Sequence, residues 1–227
     1  MSLPWKWISF DGVGALINGA YGELRVLEQF PSLAGHAERL PELRAARLRR
    51  ERELCAGPWR PWSEILARSL EEAAQELFQV PLTPAEKRAF PASFLGWPPF
   101  PEAPEQLRRW SQQVPLALLG HGEDLVLRLQ AHKHFRSPFG LILSSESLKS
   151  YKPATAHWGA LLAATGARPE EILHVASDPE MDLAPAASLG IPVAWVQRDP
   201  EAPEPDLSLA WKAKDLEELA TLLDLAD

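Results

Sequence analysis

Four short stretches of this 227-residue chain carry side chains that could do chemistry together. Asp11 ends the apolar run WKWISF and is followed by Gly12 and Gly14. Gly120-His121-Gly122 follows VPLALL, Lys152-Pro153 stands just before a helical pattern, and Ser177-Asp178, with Asp182 shortly after, follows ILHVA. An ionised aspartate is a nucleophile, and a lysine beside it keeps it charged and offsets the charge of a bound anion. Taken singly, each residue has a plainer role. Asp11 suits a strand-ending Asx turn, Lys152 a solvated loop, His121 a turn, and Asp182 the first turn of a helix. Together they fall at the ends of apolar runs or in the loops that follow, where open α/β sheets gather their ligands.

Those runs must therefore be strands of one sheet. From residue 114 onward the pattern alternates, with predicted strands at 114–120, 139–144, 172–177 and 192–197. Predicted helices lie at 123–132, 154–166, 180–190 and 215–225. Alternation at these lengths gives parallel βαβ units with helices on both faces. Residues 20 to about 95 are different, with helical patterns at 38–56, 61–78 and 83–90 and an N-cap signature at Thr83, Pro84 and Glu86. GWPPFPEAP (96–104) is a stiff, proline-dense connection. The simplest organisation is an α/β core of residues 1–16 and 98–227, interrupted by a helical cap at 17–97.

Composition narrows the function. A net charge of −8 disfavours a nucleic-acid partner, since phosphate binding needs a basic face. The single cysteine, Cys55, excludes an intrachain disulfide and a cysteine zinc cluster. No run is long and apolar enough for a membrane span or a signal peptide, so a cytoplasmic protein without a membrane partner is expected. A dinucleotide fingerprint fails because Ile17 stands where a third glycine is needed. His132 and His134, two residues apart, do not share a helix face for a metal.

FDGVGAL (10–16), LALLGHGE (116–123), LKSYKP (148–153) and ILHVASDPEMDLAPAASLGIP (172–192) resemble, in order and spacing, the four motifs of the haloacid dehalogenase superfamily. The branch they are similar to carries a helical cap after the first strand. The resemblance implies a Rossmann-like core, with Asp11 as a nucleophile that forms a covalent aspartyl intermediate hydrolysed by water, and Lys152 as its charge partner. It implies a small anionic substrate, a phosphate ester or a 2-haloacid.

The departures from the motifs are specific. Val13 replaces the second Asp of the phosphatases, Ala15 a Thr, Gly120 a Ser or Thr, and Ser177 an acid. A Mg²⁺ site would draw on Asp11, the Val13 carbonyl, and Asp178 or Asp182. Dehalogenases proper lack the second Asp and need no metal, but keep a Ser-Asn pair where this chain has Gly120-His121. Substrate contacts are expected from Gly120, His121 and Ser177, and water activation from His121, Asp178 or Asp182. In the predicted cap helix Arg47 falls amid Leu40, Leu43 and Leu54, where it either snorkels at the edge of the stripe or reaches into a site for a carboxylate or phosphate; Arg49 and Arg52 point away, and Arg44 competes for the substrate role. Trp59, Trp62 and Trp97 either wall a pocket or pack between lobes. Two functions follow: a hydrolase, or a family member without catalysis that serves as a binding or scaffold protein. The oligomeric state is left open, with a homodimer among the options.

Overall fold

Trp7, Ile8 and Phe10 give the chain its first strand, since aromatic and β-branched side chains fit a pleated surface. In the computed structural model, which describes residues 4–225, this strand is β1 (Trp7–Asp11), with Ile8 and Phe10 wholly buried. Burial on that scale contributes roughly 1.5–3 kcal/mol per large side chain. The described chain divides into two compact units, residues 4–17 with 99–225 and residues 18–98.

The 18–98 unit is helical, with α1 (Gly19–Leu27), α2 (Leu40–Cys55), α3 (Trp62–Phe78) and α4 (Pro84–Ser93). Thr83 starts α4 with a full capping box: its hydroxyl accepts the Glu86 N–H at 3.2 Å and Glu86 accepts the Thr83 N–H at 2.7 Å. The same Glu86 also takes the Ser32 N–H and hydroxyl, which ties the α1–α2 connection to α4. Trp62 and Trp97 pack edge-on against Phe94 inside this unit. Gly22 in α1 is where Trp97 lies closest, since a Cβ there would stand 2.5 Å from its ring.

In the other unit the helices are α5 (Ala103–Trp110), α6 (Asp124–Phe135), α7 (Ser145–Leu148), α8 (Ala156–Thr165), α9 (Ala184–Ser188) and α10 (Leu216–Leu222). Strands β2 (Leu116–Gly120), β3 (Phe139–Ser144), β4 (Ile172–Ala176), β5 (Val193–Val196) and β6 (Trp211–Ala213) complete a parallel sheet in the order β3-β2-β1-β4-β5-β6. Phe10 packs on Trp110 of α5, whereas Trp158 and Leu161 of α8, Leu183 and the α9 residue Ala186 join Leu119, Ala176 and Val193 in one core cluster. The chain builds one half of the sheet outward from β1, then returns to start the other half at β4. Between β1 and β4 the order reverses, and the carboxyl ends of those strands form the topological switch point. Where the chain leaves β1 and returns to α5 it forms a short stem. Ile17 bridges Pro99, and Phe100 N–H donates to the Leu16 carbonyl at 2.9 Å.

Four elements escaped the sequence. α1 carries Gly19 and Gly22, and α7 is a single turn. β6 is too short to show a period of two, and α5 begins with Pro104 in its first turn, directly behind the proline-dense connection.

Candidate active site

Asp11 is the last residue of β1, and the loop behind it is tightly wound. Leu16 N–H and Ile17 N–H both donate to the Gly12 carbonyl, at 3.0 and 2.9 Å. Gly14 has φ +100°, and a Cβ there would stand 2.2 Å from Ser177 Oγ, so only glycine fits between the two loops. From the far side Arg198 donates to the Ala15 carbonyl at 2.7 Å. Gly14 thus lets the loop close against the segment that follows β4 while Asp11 stays fixed at the strand end.

Lys152 reaches that carboxylate from the segment between α7 and α8. Its Nζ donates to Asp11 Oδ1 at 2.6 Å, Asp182 Oδ1 at 2.5 Å and the Leu119 carbonyl at 2.9 Å. An ammonium has three N–H donors, and here all three are used. Asp182 is delivered by a single π-helical turn, Pro179–Leu183, which opens with the Asp178 side chain accepting the Glu180 and Met181 N–H groups, both at 3.0 Å. Such turns add one residue to a helix start and often mark functional sites.

The charges do not cancel. Asp11 and Asp182 share one ammonium, and all three groups are buried. Burial, with the second carboxylate adding to it, pushes the Asp11 carboxyl up to about 7 against the pull of Lys152. Burial raises Asp182 to about 6. The paired carboxylates outweigh desolvation at Lys152 and hold its ammonium above the usual lysine value. Burial and the nearby Lys152 charge depress the ring of His174 to about 3, and that of His121 well below its usual value. His121 Nε2 accepts the Lys152 backbone N–H at 2.9 Å, which leaves the ring proton on Nδ1. Asp11 Oδ2 and Asp182 Oδ2 accept no hydrogen bond among the described residues. Each carboxylate keeps one oxygen for something else.

The expected site residues separate into three groups. Asp11, Lys152 and Asp182 are brought together, with His121 against the Lys152 backbone. Ser177 lies against Gly14 of the Asp11 loop, and Gly120 ends β2 where a Cβ would press on Leu127 at 3.2 Å. Arg47 is a correction. It lies in the 18–98 unit, where Glu23 takes its Nε and Nη2 donors at 2.9 Å each and Glu51 takes Nη1. Each of its three nitrogens is engaged by a carboxylate of its own unit.

The oxygens named for magnesium are partly committed to other partners. Asp11 Oδ1 and Asp182 Oδ1 converge on the Lys152 ammonium, which already places a cation between them. Asp178 Oδ1 is committed to backbone N–H groups. Among the described residues no three His, Cys, Asp or Glu side chains group as metal ligands. Asp11 Oδ2 and Asp182 Oδ2 are the carboxylate oxygens left over. Sequence reasoning missed His174 and Ser9, which back the cluster: His174 Nε2 lies 3.3 Å from Asp182 Oδ1, and Nδ1 lies 2.9 Å from Ser9 Oγ. The available signal was a histidine and a serine inside otherwise apolar strand runs.

No family model and no curated protein matches the sequence. Solved structures do match in three dimensions. An L-2-haloacid dehalogenase is 24% identical with a TM-score of 0.85, covering 99% of this chain and 100% of that one. The L-2-haloacid dehalogenase from Xanthobacter autotrophicus with chloropropionic acid covalently bound is 16% identical, TM-score 0.82, covering 97% and 98%. A protein from Bacillus subtilis described as a HAD-hydrolase, bound to magnesium, is 14% identical, TM-score 0.78, covering 97% and 99%. Over almost its whole length, then, this chain has the fold of the haloacid dehalogenases, with a buried lysine at the end of β1 bridging two aspartates.

Proposed function

We propose that the protein is a haloacid dehalogenase-like hydrolase in which Asp11 displaces a good leaving group from a small anionic substrate, the 2-haloacids being favoured over phosphate esters. One observation carries this reading: the Lys152 ammonium grips Asp11 by Oδ1 at 2.6 Å and leaves Oδ2 without a hydrogen-bond partner among the described residues. A carboxylate oriented through one oxygen and open at the other is prepared for nucleophilic attack. Oδ2 attacks the carbon that bears the leaving group, the leaving group departs with the bonding pair, and an ester on Asp11 results. Water then hydrolyses that ester. Val13 cannot protonate a leaving oxygen, whereas halide needs no proton. Of the candidates for activating water, His121 has Nε2 occupied by a backbone N–H and Asp178 caps a turn, which leaves Asp182. Its carboxyl, near 6, suits a base at neutral pH.

The test is release of halide from a panel of 2-haloacids, and of phosphate from phosphate esters, each with and without Mg²⁺. Wild type and Asp11→Asn are compared, with folding checked by thermal melting. Halide release without Mg²⁺ that vanishes in Asp11→Asn is expected. Equal rates in the two proteins would leave Asp11 no nucleophilic role and favour a binding or scaffold protein. Turnover confined to phosphate esters would overturn the substrate class.

A further inference from the structure

The reaction above gives no part to His174, although this residue touches one of the two carboxylates. It lies in the middle of β4, wholly buried, with Trp158 of α8 edge-on at 5.4 Å. Its Nε2 is 3.3 Å from Asp182 Oδ1 and its Nδ1 is 2.9 Å from Ser9 Oγ on β1. The charged and titratable groups around it are Asp11 on β1, Lys152 and His157 from the segment and helix packed on the sheet, and Asp182 after β4.

The hydrogen bonds fix the ring's proton. Ionised Asp182 has no proton to give, so the ring nitrogen facing it must be the one that carries hydrogen. Nε2–H therefore donates to Asp182 Oδ1, and Nδ1 accepts from the Ser9 hydroxyl, whose single proton favours this 2.9 Å contact over the Leu173 carbonyl at 3.4 Å. Asp182 Oδ1 then has two donors, Lys152 and His174. This matters most once Asp11 is esterified. The ester is uncharged, Asp182 becomes the ionised partner left to Lys152, and a carboxylate held by one donor is free to turn and offer it both oxygens. A second donor on Oδ1 keeps Oδ2 away from Lys152.

We infer that His174 is a positioning residue for the hydrolytic half of the reaction, holding Asp182 so that its Oδ2 takes the proton of the attacking water. This rests on the function proposed above. Water oxygen bonds to Asp11 Cγ, the Cγ–Oδ2 bond breaks, and Oδ2 leaves with the substrate carbon as a hydroxyl group. One proton of the water passes through Asp182 Oδ2 to that departing oxygen. The other leaves the regenerated Asp11 carboxyl for solvent.

Rapid-quench kinetics with 2-chloropropionate, or the 2-haloacid turned over fastest, separate the halves. Halide is measured in the first turnover and at steady state, and the ester on Asp11 is followed by intact mass. His174→Phe keeps the ring's shape without its donor. It is expected to leave first-turnover halide release within about twofold of wild type, to lower steady-state turnover at least tenfold, and to accumulate the ester. His174→Gln, which restores an N–H at the Nε2 position, recovers part of the steady-state rate, and Ser9→Ala shows a weaker form of the same split. The two glutamine and alanine variants carry the test if the phenylalanine variant does not fold. Unchanged steady-state turnover, or equal slowing of both phases, overturns the positioning role while the ester on Asp11 still supports the function. Absence of any ester in wild type, with Asp11→Asn fully active, overturns both.

Discussion

Lys152 and Arg47 are both fully buried cations held by a pair of carboxylates, one in each unit, and they are finished differently. Around Arg47, Glu23 is gripped through both oxygens, Glu51 takes a third donor, and Arg44 adds a second positive charge 3.6 Å from Glu23. Two cations balance two carboxylates. Around Lys152 one cation faces two carboxylates, each bound through one oxygen. The planar guanidinium saturates Glu23, whereas the ammonium leaves an oxygen over on each of its two partners. What separates a site from a staple here is unbalanced charge, with a spare oxygen on each of two buried carboxylates.

The largest effect should come from Lys152→Met. Turnover of the best substrate should fall by at least about 10³-fold, since both halves of the proposed reaction use the ammonium. Urea unfolding should show a loss of about 3–5 kcal/mol at pH 8, the usual cost of stranding a buried charge. The sign with pH is fixed: without the lysine both carboxyls bind protons more tightly when folded, so the loss should shrink toward pH 5. A loss independent of pH would mean that the two carboxylates are not the stranded charges.

Arg47→Met should cost a similar amount in the urea melt while leaving kcat per folded molecule unchanged. Adding Glu23→Leu should recover most of the stability, because a buried pair replaced by apolar residues is often neutral. A lowered kcat with normal folding would return Arg47 to the list of substrate contacts and break the comparison.

Smallest in stability is the change in Asp11→Asn. Asp11 holds its proton more tightly folded, near 7, than unfolded, near 3.8. Its contribution to stability is therefore full below 3.8, declines as pH rises through that interval, and stays low above 7. Removing the charge should raise stability by on the order of 1–2 kcal/mol at pH 8, and by less at pH 5. In the wild type, kcat/KM should climb about tenfold per pH unit below 7 and level above it. A flat profile from pH 5 to 8 would show that Asp11 is not the group that must ionise.

How legible this was depended on distance along the chain. β1, β2 and β4 announce themselves locally as apolar runs, and the capping box at Thr83 is contained within four residues. The helical wheel placed Arg47 correctly in the buried face of α2 with Leu40 and Leu43. It could not show Glu23, which reaches Arg47 from another helix. The choice between Asp178 and Asp182 was hidden for a different reason. The π turn gives the segment after β4 one residue more than an α-helical turn, and spacing alone does not reveal which acid faces the sheet. His174 and Ser9 belong to adjacent strands of the sheet but lie far apart in sequence. Their pairing exists only once β1 and β4 are neighbours.

The stem at Ile17 and Pro99 bears on how such a chain can change. An excursion of dozens of residues begins and ends on one bridged pair, so its two ends are already pinned together. In polymer terms the sheet carries a closed loop, and doubling the length of a flexible loop costs only about 0.6 kcal/mol. The core is therefore nearly indifferent to how much chain hangs from this point. Asp11, Lys152 and Asp182 all belong to the part that stays behind. The stem is a socket: whatever is grafted there can be lengthened, exchanged or reshaped over evolutionary time while the reacting carboxylates keep their address.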